Sequence, residues 1–231
     1  MTGVASAPDG LPRCPWGMES EKMADYRLYH DTEWGLPVHG DDALFERMCL
    51  EAFQSGLSWI TILRRREGFR AAFAGFRIEA VARFTDADTE RLLADPGIIR
   101  NRLKIQAAVH NARTAAGLAP GELDGLIWSH APEREGRPVP RTTADVPPVT
   151  AESTALAKEL KKRGFRFVGP TTAYALMQAC GLVNDHLADC HARAGAEAAA
   201  RTAAAARTSV PAAGPVPMAG SVPAAGSVPA V

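Results

Sequence analysis

Residues 160–180 read LKKRGFRFVGPTTAYALMQAC. Helical spacing runs from Thr150 to Arg163 and resumes from Thr172 to Cys180, with GFRFVGP (164–170) between. The segment predicts two helices joined by a tight hairpin. A helix N-terminus that follows such a hairpin aims backbone N–H groups outward, where they favour an anion such as a phosphate. The preceding helix is basic, with Lys158, Lys161, Lys162 and Arg163. The competing reading is an ordinary turn between helices, with Gly164 ending the first of them.

Outward from the hairpin, helix signals recur and alternating β-branched runs are nearly absent. One helix is expected over 41–55, stopping near Gly56. Ser58 can cap another through about Arg70. Thr85 and Asp88 resemble a capping box. Pro96-Gly97 breaks the chain, and an apolar stripe of Ile98, Leu103, Ile105, Ala108, Val109 and Ala112 predicts a further helix. Residues 131–149 are rich in proline and read as a loop. The fold class is all-α, with six to nine helices in one domain over about 13–191.

The ends read differently. Residues 1–12 lack periodicity and are expected to be a disordered extension. From about Ala192 the chain is Ala-rich, then repeats AAGPVP, MAGSVP and AAGSVP. Those residues bury too little apolar surface to offset their ordering entropy, so 192–231 is expected to be a disordered tail, its Ala-rich part at most transiently helical. The N-terminus lacks a basic segment followed by an apolar one, and no apolar run approaches membrane-spanning length. A cytoplasmic protein without membrane contact is expected. Formal net charge is +0, so only local basic clusters favour nucleic acid. No heptad pattern calls for a partner copy, and a monomer is expected.

Two sets of residues carry chemistry. CLEAFQSGLSW (49–59) places Glu51 off the stripe formed by Phe45, Met48, Cys49, Ala52 and Phe53. Spacing alone favours a solvated Glu51 paired with Arg47. Yet five of the chain's seven Trp and Tyr residues, namely Trp16, Tyr26, Tyr29, Trp34 and Trp59, fall within 16–59, as suits a pocket that stacks a flat ligand. The second set is Cys14, His30, His186 and Cys190, which together can form a closed tetrahedral zinc site joining the two ends of the domain. His191 is a rival ligand by position. Cys49 and Cys180 read as core thiols.

Taken together, RCPWG (13–17), YHDTEWG (29–35), CLEAFQSGLSW (49–59), GIIRNRLKIQAAVHNAR (97–113) and LKKRGFRFVGPTTAYALMQACGLVNDH (160–186) resemble the 3-methyladenine DNA glycosylase I family over about 13–190. The resemblance implies a helix-hairpin-helix fold, with the hairpin at about 164–172 gripping the backbone of alkylated double-stranded DNA through Gly164, Phe167, Val168, Gly169 and Thr171. It implies one structural zinc on Cys14, His30, His186 and Cys190. It implies recognition of the extruded base by Glu51 and Tyr29, stacking on Trp59, and an aromatic lining of Trp16, Tyr26 and Trp34. Leu57 is a candidate wedge for the gap the base leaves, with an ordinary core leucine as the competing reading. Many members of the wider superfamily carry an essential Asp where Asn184 stands, and no hairpin lysine is placed as a Schiff-base nucleophile. A monofunctional glycosylase releasing N3-methyladenine is therefore expected, without Asp185 as catalytic acid. The alternatives are a non-catalytic lesion-binding module and a zinc-dependent hydrolase.

Overall fold

The computed structural model describes residues 3–6, 9–16 and 23–208. Among them are two short strands, β1 (Ala5–Ser6) and β2 (Pro12–Arg13), paired antiparallel. The helices are α1 (Ala24–Thr32), α2 (Asp41–Gln54), α3 (Trp59–Leu63), α4 (Arg66–Ala72), α5 (Ile78–Ala82), α6 (Asp86–Ala94), α7 (Arg102–Ala116), α8 (Glu122–Trp128), α9 (Ala151–Lys162), α10 (Pro170–Ala179) and α11 (Arg193–Thr208). The protein is mostly helical, as the periodicity requires, but with more and shorter helices than expected.

Helix α2 is the spine. Leu44, Phe45, Met48, Cys49, Leu50, Ala52 and Phe53 are all buried, because α8, α10, α3, α5 and α7 pack around it. The phenylalanines that read as core filler form one layer beside it. Phe53 meets Phe69 at 4.6 Å between ring centroids, and Phe73 stacks on Phe76 at 5.3 Å. Cys49 and Cys180 are buried free thiols, as expected. Helices α9 and α10 pack against each other across the hairpin, and the capping box of Thr85 and Asp88 opens α6.

Four expectations are corrected. The single helix expected from Ser58 to Arg70 is broken at Arg64–Arg65. Arg64 pairs with Asp25 in α1 and Arg66 with Glu33 just past its end, so each half is fixed separately. Leu103 leaves the core stripe of α7 and is 67% exposed. Ile98 is buried but precedes the helix, so it does not set the helix phase. The N-terminal extension is not wholly irregular: Arg13 is buried and ion-paired to Asp9 and Asp31, which anchors β1 and β2. Finally, residues 193–208 are helical where a disordered tail is expected. Their helix docks: Ala196 and Ala200 are buried, and Asn184 Nδ2 donates to Arg193 O and to Glu197 Oε1. The small alanine side chains let α11 sit close, a contact that composition cannot reveal. The hexamer repeats lie outside the described residues.

Candidate active site and metal cluster

Consecutive residues of α1 serve two centres. Tyr29 lines a cavity of about 300 Å³, and His30 turns into a Cys/His cluster beside it. The volume is at the lower end for small-ligand pockets. Among the described residues, Trp16, Trp34, Glu51, Gln54, Trp59 and Asp185 line the cavity with Tyr29. Tyr29 and Trp59 sit 5.3 Å apart, and Trp16 meets Trp34 at 5.0 Å. Tyr26 is not in the lining; it packs against Trp16 at 4.9 Å, one layer back.

Glu51 faces this cavity and is only 5% exposed. The solvated i,i+4 pair with Arg47 does not form. Arg47 is drawn instead to Glu33, 3.1 Å away, where Arg66 also binds. No hydrogen bond reaches the Glu51 carboxylate from the described residues. Burial pushes its pKa up to about 8, and Arg47 offsets part of that. Burial and the nearby Glu51 hold the Tyr29 phenol well above its ordinary value, so it is a neutral donor. The Trp59 indole N–H is buried and has no partner. The cavity thus combines aromatic and polar side chains, and among them the Glu51 carboxyl has no hydrogen-bond partner in the described residues.

Beside it, Cys14 Sγ lies 3.8 Å from His186 Nδ1, and Cys190 Sγ lies 3.5 Å from both His30 Nε2 and His186 Nδ1. The two imidazole nitrogens are 3.2 Å apart. Their tautomers follow from the partners on the far sides of the rings. His30 Nδ1 lies 2.8 Å from Asp31 Oδ1, and His186 Nε2 lies 3.0 Å from Trp34 O. A carboxylate and a carbonyl can only accept, so both protons sit there, and the two inward nitrogens carry lone pairs. Facing lone pairs at that distance repel unless a cation lies between them. Four donor atoms at these separations suit a tetrahedral ion, with metal–sulfur bonds of about 2.3 Å and metal–nitrogen bonds of about 2.0 Å. The four residues fit a metal ion. His191 is not one of them; it bonds Asp31, 3.0 Å away.

The methyladenine glycosylase family model matches residues 18–194. The chain is 46% identical over 182 residues to DNA-3-methyladenine glycosylase 1 of Escherichia coli, covering 78% of this chain and 96% of the relative. It is 45% identical over 183 residues to DNA-3-methyladenine glycosylase of Haemophilus influenzae, with coverages of 77% and 96%. Among solved structures it matches 3-methyladenine DNA glycosylase I from Staphylococcus aureus with a TM-score of 0.69 at 34% identity, covering 78% of this chain and 95% of that one. The chain belongs to the methyladenine glycosylase family. A further similar structure, a tyrosine-to-phenylalanine variant of 3-methyladenine DNA glycosylase I, is a complex with 3-methyladenine, with a TM-score of 0.69, 34% identity and coverages of 78% and 96%.

In this methyladenine glycosylase the hairpin 164–169 sits at the end of α9. Gly164 has φ +96, and Phe167 has φ +56, unusual for a residue with a side chain. Phe165 and Val168 turn into the core, while Phe167 is 40% exposed. Gly169 has ordinary extended φ and precedes Pro170, which opens α10. Thr171 is exposed in its first turn. Within the described residues, no protein acceptor meets the N–H groups of Phe167, Val168 and Gly169. Asn111 holds the loop from below, donating to Arg166 O at 3.0 Å and accepting from Arg166 N at 2.8 Å. Leu57 is 41% exposed in the turn between α2 and α3, where Gly56 has φ +80.

Several cavity-lining residues escape the sequence reading. Thr143 and Val146 reach the cavity from the proline-rich loop, and Gln178 reaches it from α10. No spacing rule links these segments. Asp185 also lines the cavity, but its carboxylate is engaged by Tyr174 at 2.6 Å, Gln178 at 2.8 Å and Arg137 at 2.9 Å. Asn184 is spent on α11.

Proposed function

We propose that Glu51 reads the positive charge of a methylated adenine extruded from double-stranded DNA, and that the chain releases this base by hydrolysing its N-glycosidic bond. One observation carries the reading: a carboxyl buried without a hydrogen-bond partner among the described residues, in a cavity whose lining includes Tyr29, Trp59, Trp16 and Trp34. N3-methyladenine in DNA is cationic, which already weakens its bond to the sugar. The site therefore needs to capture the base more than to protonate it. Extrusion costs a few kcal/mol. Stacking on Trp59 returns roughly 1–3 kcal/mol, and a cation over an indole or phenol face adds about 0.5–2 kcal/mol. A positive charge beside Glu51 favours its ionised form and reverses the effect of burial. Unmodified adenine brings no charge and meets a neutral carboxyl. The difference between the two is the selectivity. Departure of the base leaves an oxocarbenium-like sugar, which water attacks. No lysine is among the described residues that line the cavity, in keeping with monofunctional hydrolysis.

The α9–hairpin–α10 unit is proposed as a helix-hairpin-helix clamp on the DNA backbone. Unmet N–H groups at 167–169, the N-terminus of α10 and the basic end of α9 support that reading. Leu57 is proposed as the wedge. The Cys14, His30, His186 and Cys190 set is proposed to hold zinc: two thiolates and two imidazoles are its preferred donors, and four protein ligands close the coordination sphere. The ion then joins α1 and the N-terminal segment to the segment after α10, and its contribution is structural. The protein acts in this reading as a cytoplasmic monomer. No helix among the described residues is long and apolar enough to cross a membrane.

Glu51→Gln tests the central assignment. It is expected to weaken binding of free 3-methyladenine, followed by tryptophan fluorescence, and to slow excision from alkylated duplex by at least about tenfold. Unchanged values of both would remove Glu51 from the site.

A further inference from the structure

Lys104 carries a charge in a place that its own helix disfavours. It lies in the first turn of α7, where no acidic residue is present and Arg102 adds a second positive charge. The N-terminal end of a helix dipole repels cations. Lys104 is also buried, at 8% exposure. Both costs need an offset, and the structure supplies one from a different helix. The ammonium donates to Phe53 O at 2.9 Å and to Ser55 O at 2.6 Å. These carbonyls belong to the end of α2, whose last turn contains no basic residue of its own. Lys104 thus supplies the cation that the C-terminal end of α2 lacks, and satisfies carbonyls the helix leaves open. Asn101 fixes the lysine from behind: its side chain caps α7 by accepting from Lys104 N at 3.1 Å.

The turn that carries Leu57 leads directly out of those carbonyls. Leu57 N donates to Gln54 O at 2.6 Å, Gly56 has φ +80, and Leu57 projects as an exposed apolar side chain. Glu51 and Gln54, one turn earlier, line the cavity. The turn therefore connects the helix that carries Glu51 and Gln54 to Leu57, and Lys104 ties that turn to the body of the fold through Phe53 O and Ser55 O.

We propose that Lys104 is a positioning residue for base extrusion: its ammonium holds the 53–57 turn so that Leu57 enters the duplex in register with the cavity. The proposal rests on the reading of Leu57 as wedge. Lys104 works through the turn and touches neither base nor phosphate.

The test uses the full chain and a duplex with 2-aminopurine beside a tetrahydrofuran abasic site, whose fluorescence reports insertion at the gap. Lys104→Met is expected to reduce the insertion equilibrium about tenfold or more, through the loss of the two charge-assisted hydrogen bonds to Phe53 O and Ser55 O. Leu57→Ala reduces it as well. In the double variant, Lys104→Met should cost nothing beyond Leu57→Ala, because its effect passes through the wedge. Binding of free 3-methyladenine should stay within about twofold, and the salt slope of DNA affinity should not change, since a lost phosphate contact would flatten it by about 0.9. Additive losses, a parallel loss of free-base binding or a flattened salt slope would each overturn the proposal. If circular dichroism shows that Lys104→Met unfolds, Lys104→Gln, which retains an N–H donor, is judged by the same criteria. A wild-type chain that inserts but releases no base refutes the glycosylase reading alone, and the Lys104 result stands on its own.

Discussion

A carboxyl on an apolar cavity wall, without a donor, is costly to ionise. That is the situation of Glu51, whose pKa is raised from 4.5 to about 8 by burial. The linkage has a definite sign. The folded state holds the Glu51 proton more tightly than the unfolded chain, so its contribution to stability is fully present below pH 4.5 and is lost as pH rises through about 8. The loss is of order 1.4 kcal/mol per pH unit within that window. Urea midpoints at pH 5 and pH 8 measure it. Glu51→Gln should match wild type near pH 5 and be the more stable protein at pH 8; equal pH dependence in the two would contradict the buried, partnerless carboxyl. The resemblance points to Glu51, Tyr29 and Trp59, while spacing alone favours an exposed pair of Glu51 with Arg47. That pairing fails because Glu33, remote in sequence and on another helix end, competes for Arg47. A competition of this kind leaves no mark in helical periodicity.

At the scale of elements, α2, α9 and α10 are legible in the sequence because their apolar stripes are long and their stops are clear: Gly56 follows α2, and Gly164 follows α9. The short helices are not. Helices α3 and α4 are separated by ion pairs to Asp25 and Glu33 and not by a breaker residue, and α11 is held by two alanines and an asparagine. A very close approach between backbones lies just past α10. Gly181 has φ +71, and a Cβ there would meet Leu36 C at 2.6 Å and Pro37 N at 2.7 Å. The backbone cannot recede, because Gly35 N donates to Gln178 O and Val38 N to Cys180 O. Gly181→Ala is therefore expected to destabilise the fold by at least about 2 kcal/mol, read as a lowered urea midpoint. A midpoint within about 0.5 kcal/mol of wild type would mean that this contact is looser than described.

For the whole molecule, the Cys/His cluster is the long-range closure. It draws Cys14 and His30 against His186 and Cys190, and the cavity shares Cys14, Trp16, Trp34 and Leu187 with that region. If the cluster holds zinc as proposed, loss of the ion should leave two facing imidazole lone pairs and two buried thiols, and loosen one cavity wall. Chelation is expected to lower the melting temperature by roughly 10 °C or more, with one equivalent of zinc released per chain by a colorimetric chelator. A chain that melts unchanged without metal would remove the cluster from the stability of the fold. The two Cys and two His of the cluster are legible as residues, but their convergence is not, since HxxxC spacing alone is common and only the folded ends bring the pairs together. In the proposed reading, the hairpin, Leu57 and the aromatic cavity all bear on one act, removal of a cationic purine from duplex DNA. Chromatography of the small molecules freed from methylated duplex DNA tests that act most directly. Wild type should release free 3-methyladenine, with Glu51→Gln at least about tenfold slower and no strand cleavage in either. A folded, metal-loaded wild-type chain that binds the methylated duplex and releases no 3-methyladenine would contradict the account.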